Sequence, residues 1–240
     1  MEKGFIYSGI LVGICSVFVS AQPVARVGAL EGKAGMLRKG SENWRNVRPN
    51  MPLKVGDQLY TQPESFVEIR YSKGQILRMD ESTKITIEES SEKTTKTKSS
   101  IGRIWVNMKK MVTQGDEFQV ATPTAVAAIR GTVFNINTDK DSSTSVDVYD
   151  GKVAVGPADR LKKKKKKTQP STGVTEIPGP EEIPGPYEVP LETWKTIVAG
   201  QRISVNKDGK FAQEQFDIDT SAKNDFVKKN MALDKKEAEQ

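Results

Sequence analysis

The residues that most often do nucleophilic, acid–base or metal chemistry, histidine and cysteine, are all but missing from this chain. It has no histidine, which removes the commonest general base and the commonest metal ligand together. The only cysteine, Cys15, lies in an N-terminal apolar stretch, so neither a thiolate metal site nor an internal disulfide is available. Carboxylates are plentiful, but no pair stands in an apolar context, and no serine or threonine has a histidine to activate it. Asp57 and Asp80 read as turn residues. No enzymatic activity, cofactor or metal is therefore expected.

Two cationic features remain. Arg130, with Gly131 and Thr132, interrupts an otherwise small or apolar run from Ala125 to Phe134. A guanidinium inside such a strand needs a paired charge, since burying it alone costs several kcal/mol. Glu31, Asp57, Asp80, Asp147 and Asp150 are candidate partners among which the sequence does not choose. The reading taken is an internal arginine–carboxylate clip that fixes strand register, with Gly131 marking a bulge or a close backbone approach. On that reading Arg130→Ala destabilises the fold. A ligand-binding arginine and a plainly exposed one are the alternatives.

The second feature is the run Lys162, Lys163, Lys164, Lys165, Lys166 and Lys167. With Arg160 it carries seven positive charges, one more than the net charge of +6, so basicity is local to this run. It could engage an acidic polymer or anionic head groups, or be a solvated loop. The run lacks interleaved aromatics, which argues against nucleic acid.

The elements that must position these residues are short strands. Val67, Ile69 and Tyr71 alternate with Glu68 and Arg70, Ile85 and Ile87 flank Thr86, and Val146 and Val148 flank Asp147. Glycine turns punctuate them at Glu31-Gly32-Lys33, Lys73-Gly74-Gln75, Asp150-Gly151-Lys152 and Asp208-Gly209-Lys210. The pattern predicts an all-β domain of many short antiparallel strands over residues 22–156. Residues 88–100 are polar without an apolar face and read as a solvated loop, hairpin tip or edge strand. Ile101 to Met111 reads as a strand leading into a loop, and Trp44, Trp105 and Trp194 as core or strand-packing residues.

Residues 157–193 change character, with the lysine run followed by a Pro-Gly-rich tract in which Ile177-Pro-Gly-Pro is echoed at Ile183-Pro-Gly-Pro. They read as an exposed low-complexity insertion of extended geometry. Residues 194–210 resume the alternation and are too few for a core of their own, so they close the same β domain. Residues 211–240 form a charged tail, a marginal helix or a disordered end, in which Phe226, Val227 and Met231 would share one face of a helix over Ser221–Leu233.

The N-terminus combines an apolar stretch from Phe5 to Val19 with a small-residue ending, which reads as a secretory signal cleaved between Ala21 and Gln22. A retained anchor and a lipoprotein on Cys15 are the alternatives, although Ile14 departs from the small residue normally found before a lipidated cysteine. All three place the chain outside the cytoplasm, in the periplasm or at the cell surface, touching a membrane only through this segment if it is retained.

Taken in order, Val55-Gly56-Asp57, Thr61, the strand from Phe66, Ile104-Trp105, Thr122-Pro123 through Arg130-Gly131-Thr132 to Phe134, and Asp150-Gly151-Lys152-Val153 resemble the FecR domain family. Gly200-Gln201 before Ile203 is similar to that family's closing strands. The resemblance covers residues 25–155 and 194–205. It implies an extracytoplasmic β-rich module without catalytic activity, with Arg130, Gly131, Thr132, Phe134, Asp57 and Gly151 as its structural motif. Family namesakes relay a signal from an outer-membrane receptor, often a siderophore transporter, to a sigma factor inside. Those carry a cytoplasmic helical segment, whereas only Met1, Glu2 and Lys3 precede the apolar stretch here, so direct sigma-factor regulation is not expected. The resulting expectation is a binding or scaffold module of the bacterial envelope whose partner is an envelope protein or an acidic polymer. A surface adhesin acting through the lysine run and a membrane-anchored accessory in envelope or iron-uptake signalling are the two alternatives.

Overall fold

The computed structural model describes residues 22–91, 93–108, 117–158 and 194–239. Among these residues seventeen strands lie in two layers joined by one long strand. The first layer runs β4 (Pro52–Leu53), β1 (Ala25–Glu31), β6 (Phe66–Tyr71), β7 (Ile76–Met79), β9 (Thr94–Asn107), β12 (Val133–Thr138), β13 (Thr144–Asp150), β16 (Gln201–Val205), β17 (Phe211–Gln215), all antiparallel. The second runs β3 (Trp44–Asn46), β2 (Ala34–Leu37), β5 (Gln58–Thr61), β8 (Lys84–Ser90), β9 again, β10 (Glu117–Ala121), β11 (Ala125–Ile129), β14 (Lys152–Pro157), β15 (Lys195–Val198), with a parallel pair at β9 and β10. This is the expected all-β fold.

Period-two alternation explains the layering. Val67, Ile69 and Tyr71 of β6, Leu77 and Met79 of β7, and Val146 and Val148 of β13 join Ile85, Ile87, Val153 and Val155 of the second layer in one buried cluster. The expected turn glycines Gly32, Gly74, Gly151 and Gly209 all take positive φ. β14 and β15, on either side of residues 159–193, pair directly through Val153 and Ile197, so the chain returns to the same sheet. The low-complexity tract itself, with Lys162 to Lys167, lies outside the described residues.

The polar stretch before Ser100 is not a loop. It supplies a central strand of the second layer, with Thr95, Thr97 and Ser99 buried. Threonine fits a pleated surface, and the Tyr71 hydroxyl lies 2.6 Å from Thr97 Oγ1, so a polar strand enters the core with that partner satisfied. Burial holds the Tyr71 hydroxyl well above its ordinary pKa, and the Thr97 contact only partly offsets this. The charged end also differs from expectation. Residues 211–215 form β17 against β16, and two helices follow, α1 (Ile218–Ser221) and α2 (Asp225–Ala238). The second starts and ends a turn later than Ser221–Leu233. Asn224 explains its start, because its side-chain oxygen accepts from the backbone N–H groups of Phe226 and Val227. Of the tryptophans, Trp105 is buried, while Trp44 is largely exposed and lies over Gly35.

Gly102 lets β9 serve both layers. Residues up to Ile101 pair with β8, and those from Gly102 onward pair with β12. Its φ is +92°, and a Cβ there would lie 2.4 Å from Thr83 Oγ1. Gly131 also has positive φ, +64°, but nothing lies within 4 Å of its Cβ position. Asparagine tolerates the left-handed region, so the two sites separate backbone strain from crowding. Gly102→Asn should lower the urea midpoint by the equivalent of at least about 1–3 kcal/mol. Gly131→Asn should lose less than half as much in the same experiment.

Candidate functional site

The sequence-predicted motif forms a corner. Arg130 and Gly131 turn the chain from β11 in the second layer to β12 in the first. The expected internal clip is not formed, because Arg130 is exposed and its guanidinium makes no ion pair or hydrogen bond with a described residue. The run looked like one strand because both flanks are buried: Ile129 before the turn, and Thr132, Val133 and Phe134 after it. The expected mid-strand glycine is likewise a turn residue. Phe134 enters the core, and Gly151, in the tight turn between β13 and β14, sits so close that a Cβ would lie 2.6 Å from Thr132 Cγ2. Asp57 is buried and serves a different arginine, accepting from Arg38 Nη1 at 2.5 Å and from the Lys54 amide at 2.8 Å. Three more of the candidate carboxylates are engaged elsewhere, Glu31 with Lys229, Asp80 with Arg103 and Asp147 with Arg202, and Asp150 is not paired with Arg130 either. Ala21 and the lysine run lie outside the described residues, and Gln22 is exposed.

The buried arginine is Arg78. It alternates with the core residues Leu77 and Met79, so it points to the outer face of the first layer, yet its side chain is 0% exposed. α2 covers it. Nε donates to Glu68 Oε2 at 2.8 Å and Nη1 to Asp234 Oδ1 at 2.5 Å, while Nη2 is 3.2 Å from Glu237 Oε2. The other Asp234 oxygen accepts from Trp105 Nε1 at 2.9 Å, and Arg70 bridges Glu68 and Glu237. Burial opposes the Arg78 charge, but hydrogen bonds to Glu68 and Asp234 outweigh it and hold the guanidinium above its ordinary pKa. Phe226 and Val227 of α2 close over Phe66, Trp105, Val133 and Tyr149 in a second, smaller apolar cluster.

Strand register places these groups in one line. Glu68 on β6 pairs with Arg78 on β7, Arg78 with Trp105 on β9, Trp105 with Asn135 on β12, and Asn135 with Asp147 on β13. Asp147 then pairs with Arg202 on β16 and Arg202 with Glu214 on β17. At 4.7–4.9 Å per strand the row spans about 29 Å. α2 covers one end of the row. Over the other end lies a polar cleft of about 370 Å³ whose floor includes Asn135, Asn137, Ser145 and Asp147.

Arg202 donates to both Asp147 oxygens, at 2.5 and 2.9 Å, and these bonds raise its pKa above the ordinary value. At the opposite wall Arg103 Nε is 3.2 Å from Asp80 Oδ2, and Nη1 donates to Asn224 Oδ1 at 2.8 Å. Burial raises the Asp80 carboxyl, with Arg103 opposing that rise. The Tyr149 hydroxyl lies 2.7 Å from Ser221 Oγ, and burial raises its pKa. Asn135 is the exception: it is 5% exposed, and its side-chain oxygen has no hydrogen-bond partner among the described residues. The cleft therefore has its arginines paired and one buried amide oxygen, that of Asn135, unfilled. Alternation marks Asn135, Asn137, Ser145 and Asp147 as facing away from the core, but it does not reveal that α1 and α2 roof them.

Residues 57–154 match the family model described as FecR protein. Two crystal structures of a candidate anti-sigma factor from Parabacteroides distasonis ATCC 8503 align with 67% of this chain at 17% identity and a TM-score of 0.47. The chain spans 60% of the length of those structures. No curated protein matches it.

Removing Arg78 leaves Glu68 and Asp234 without their shared cation beneath the helix, whereas Arg130 has no such dependants. Arg78→Ala should cost about 3–5 kcal/mol in chemical denaturation. Arg130→Ala should stay within about 0.5 kcal/mol of the parent, reversing the expectation drawn from sequence.

Proposed function

We propose that this chain, with a FecR domain at residues 57–154, is a noncatalytic binding module of the bacterial envelope. The observation that carries the reading is the buried, unpartnered Asn135 amide at the floor of a cleft roofed by α1 and the start of α2. Arg103 and Arg202 are held by carboxylates, and the Tyr149 and Ser221 hydroxyls by each other, so these groups shape and rigidify a recognition surface. A rigid site with unfilled hydrogen-bonding capacity is suited to binding, since little ordering is needed when a partner arrives. Export is supported by the apolar N-terminal stretch and its small-residue ending at Ala21. Among the described residues no helix is long and apolar enough to cross a membrane.

The test is fractionation of the native host followed by capture on the immobilised mature chain. The protein is expected outside the cytoplasm with Gln22 as its first residue. A partner retained by the parent chain should be lost from an Asn135→Leu, Ser145→Ala variant and kept when residues 160–186 are deleted. Recovery from the cytoplasm would contradict the envelope assignment. Loss of capture on deleting residues 160–186, with the cleft variant still binding, would favour adhesion through the lysine run.

A further inference from the structure

We infer that the cleft between α1 and the β12–β13 face takes a neutral, polyhydroxylated ligand, a saccharide of one or two rings. The inference rests on the reading of the chain as a binding module and adds the chemistry of what is bound. Its volume of about 370 Å³ lies toward the small end of the roughly 300–1,000 Å³ range of small-molecule pockets.

The charge arrangement selects against an anion. Arg202 is chelated by Asp147, and Arg103 is engaged by Asp80 and Asn224, so an acidic ligand would meet guanidinium charge already balanced by a carboxylate. What is left over is neutral hydrogen-bonding capacity. The Asn135 side-chain oxygen is buried without a hydrogen-bond partner among the described residues, so a ligand hydroxyl that reaches it makes a bond the fold leaves unmade. The Ser145 hydroxyl, diagonal to Asn135 across the β12–β13 ladder, makes no hydrogen bond with a described residue. Adjacent hydroxyls on a sugar ring present one acceptor and one donor at matching spacing, and each can satisfy an amide and a serine at once. Tyr149 and Val227 supply apolar wall for the ring's C–H face. A peptide strand fits less well: the cleft lies on a sheet face whose main-chain groups are spent in the β9, β12, β13 and β16 ladders, so strand addition has nothing to pair with.

The experiment is two-dimensional amide NMR of the mature chain titrated with maltose, with the disaccharide of N-acetylglucosamine, and with a blocked dialanine peptide as the neutral non-sugar. A saturable shift of the Asn135 side-chain NH2 pair is expected with at least one disaccharide and not with the peptide. Asn135→Leu should keep or raise thermal stability, because it removes an unsatisfied buried amide, and should weaken disaccharide binding about tenfold or more. Ser145→Ala gives a second measure of the same loss should the first variant fold poorly. Absence of a saturable shift with both disaccharides would overturn the inference, as would unchanged affinity in Ser145→Ala and Asn135→Leu. A shift with the peptide alone would also overturn it and assign the cleft to a protein partner. Envelope capture that depends on the cleft while both sugars fail would leave the binding-module reading standing without this ligand.

Discussion

A charged guanidinium on the wrong side of a β-sheet governs the second half of this structure. Arg78 faces away from the core cluster and is nevertheless inaccessible, which is tolerable only if carboxylates and a cover come with it. Glu68 comes from the neighbouring strand, and Asp234 and Glu237 come from a helix 156 and more residues further along the chain. The helix is thus required by the arginine and the arginine by the helix. Ion pairs of this kind give little net stability against an apolar replacement, but breaking one partner is costly, so their role here is to specify where α2 sits.

That placement is what makes a cleft. α2 lies over Trp105 and Arg78, the α1 segment before it is held by the Tyr149–Ser221 contact, and Arg103 holds Asn224, the N-cap residue of α2. Between these fixings the cross-strand row continues past Trp105 to Asn135, Asp147 and Arg202. One row therefore has two fates: neutralised and sealed under the helix at one end, neutralised but roofed over open space at the other. Apolar packing on this face is confined to the small cluster around Phe226, Val227 and Tyr149, and the rest of the attachment is polar.

What could be read from sequence was what is local. The alternation of Val67, Ile69 and Tyr71 and the glycines of the tight turns report period and φ, both properties of a few adjacent residues, and both matched the fold. Arg130 was misread because a sheet-to-sheet corner with two buried flanks has the composition of an interrupted strand. The burial of Thr97 is not legible locally because its hydroxyl depends on Tyr71, 26 residues away. Within Ile76-Leu77-Arg78-Met79 no local feature announces Asp234, 156 residues away, so the sequence does not mark Arg78. The motif order from Asp57 to Gly151 falls within the residues that match the FecR model, and Gly151 and Thr132 do approach each other closely, whereas Arg130 has no partner among the described residues.

The most direct measurement of this account is native-state hydrogen exchange across α2. If the Arg78 cluster makes the helix an integral part of the domain, the amides of residues 228–238 should exchange only through global unfolding, with the same opening free energy and denaturant dependence as those of β7. Exchange of α2 at a much lower opening free energy, insensitive to denaturant while β7 remains protected, would show the helix to be a loosely held appendage and would contradict it.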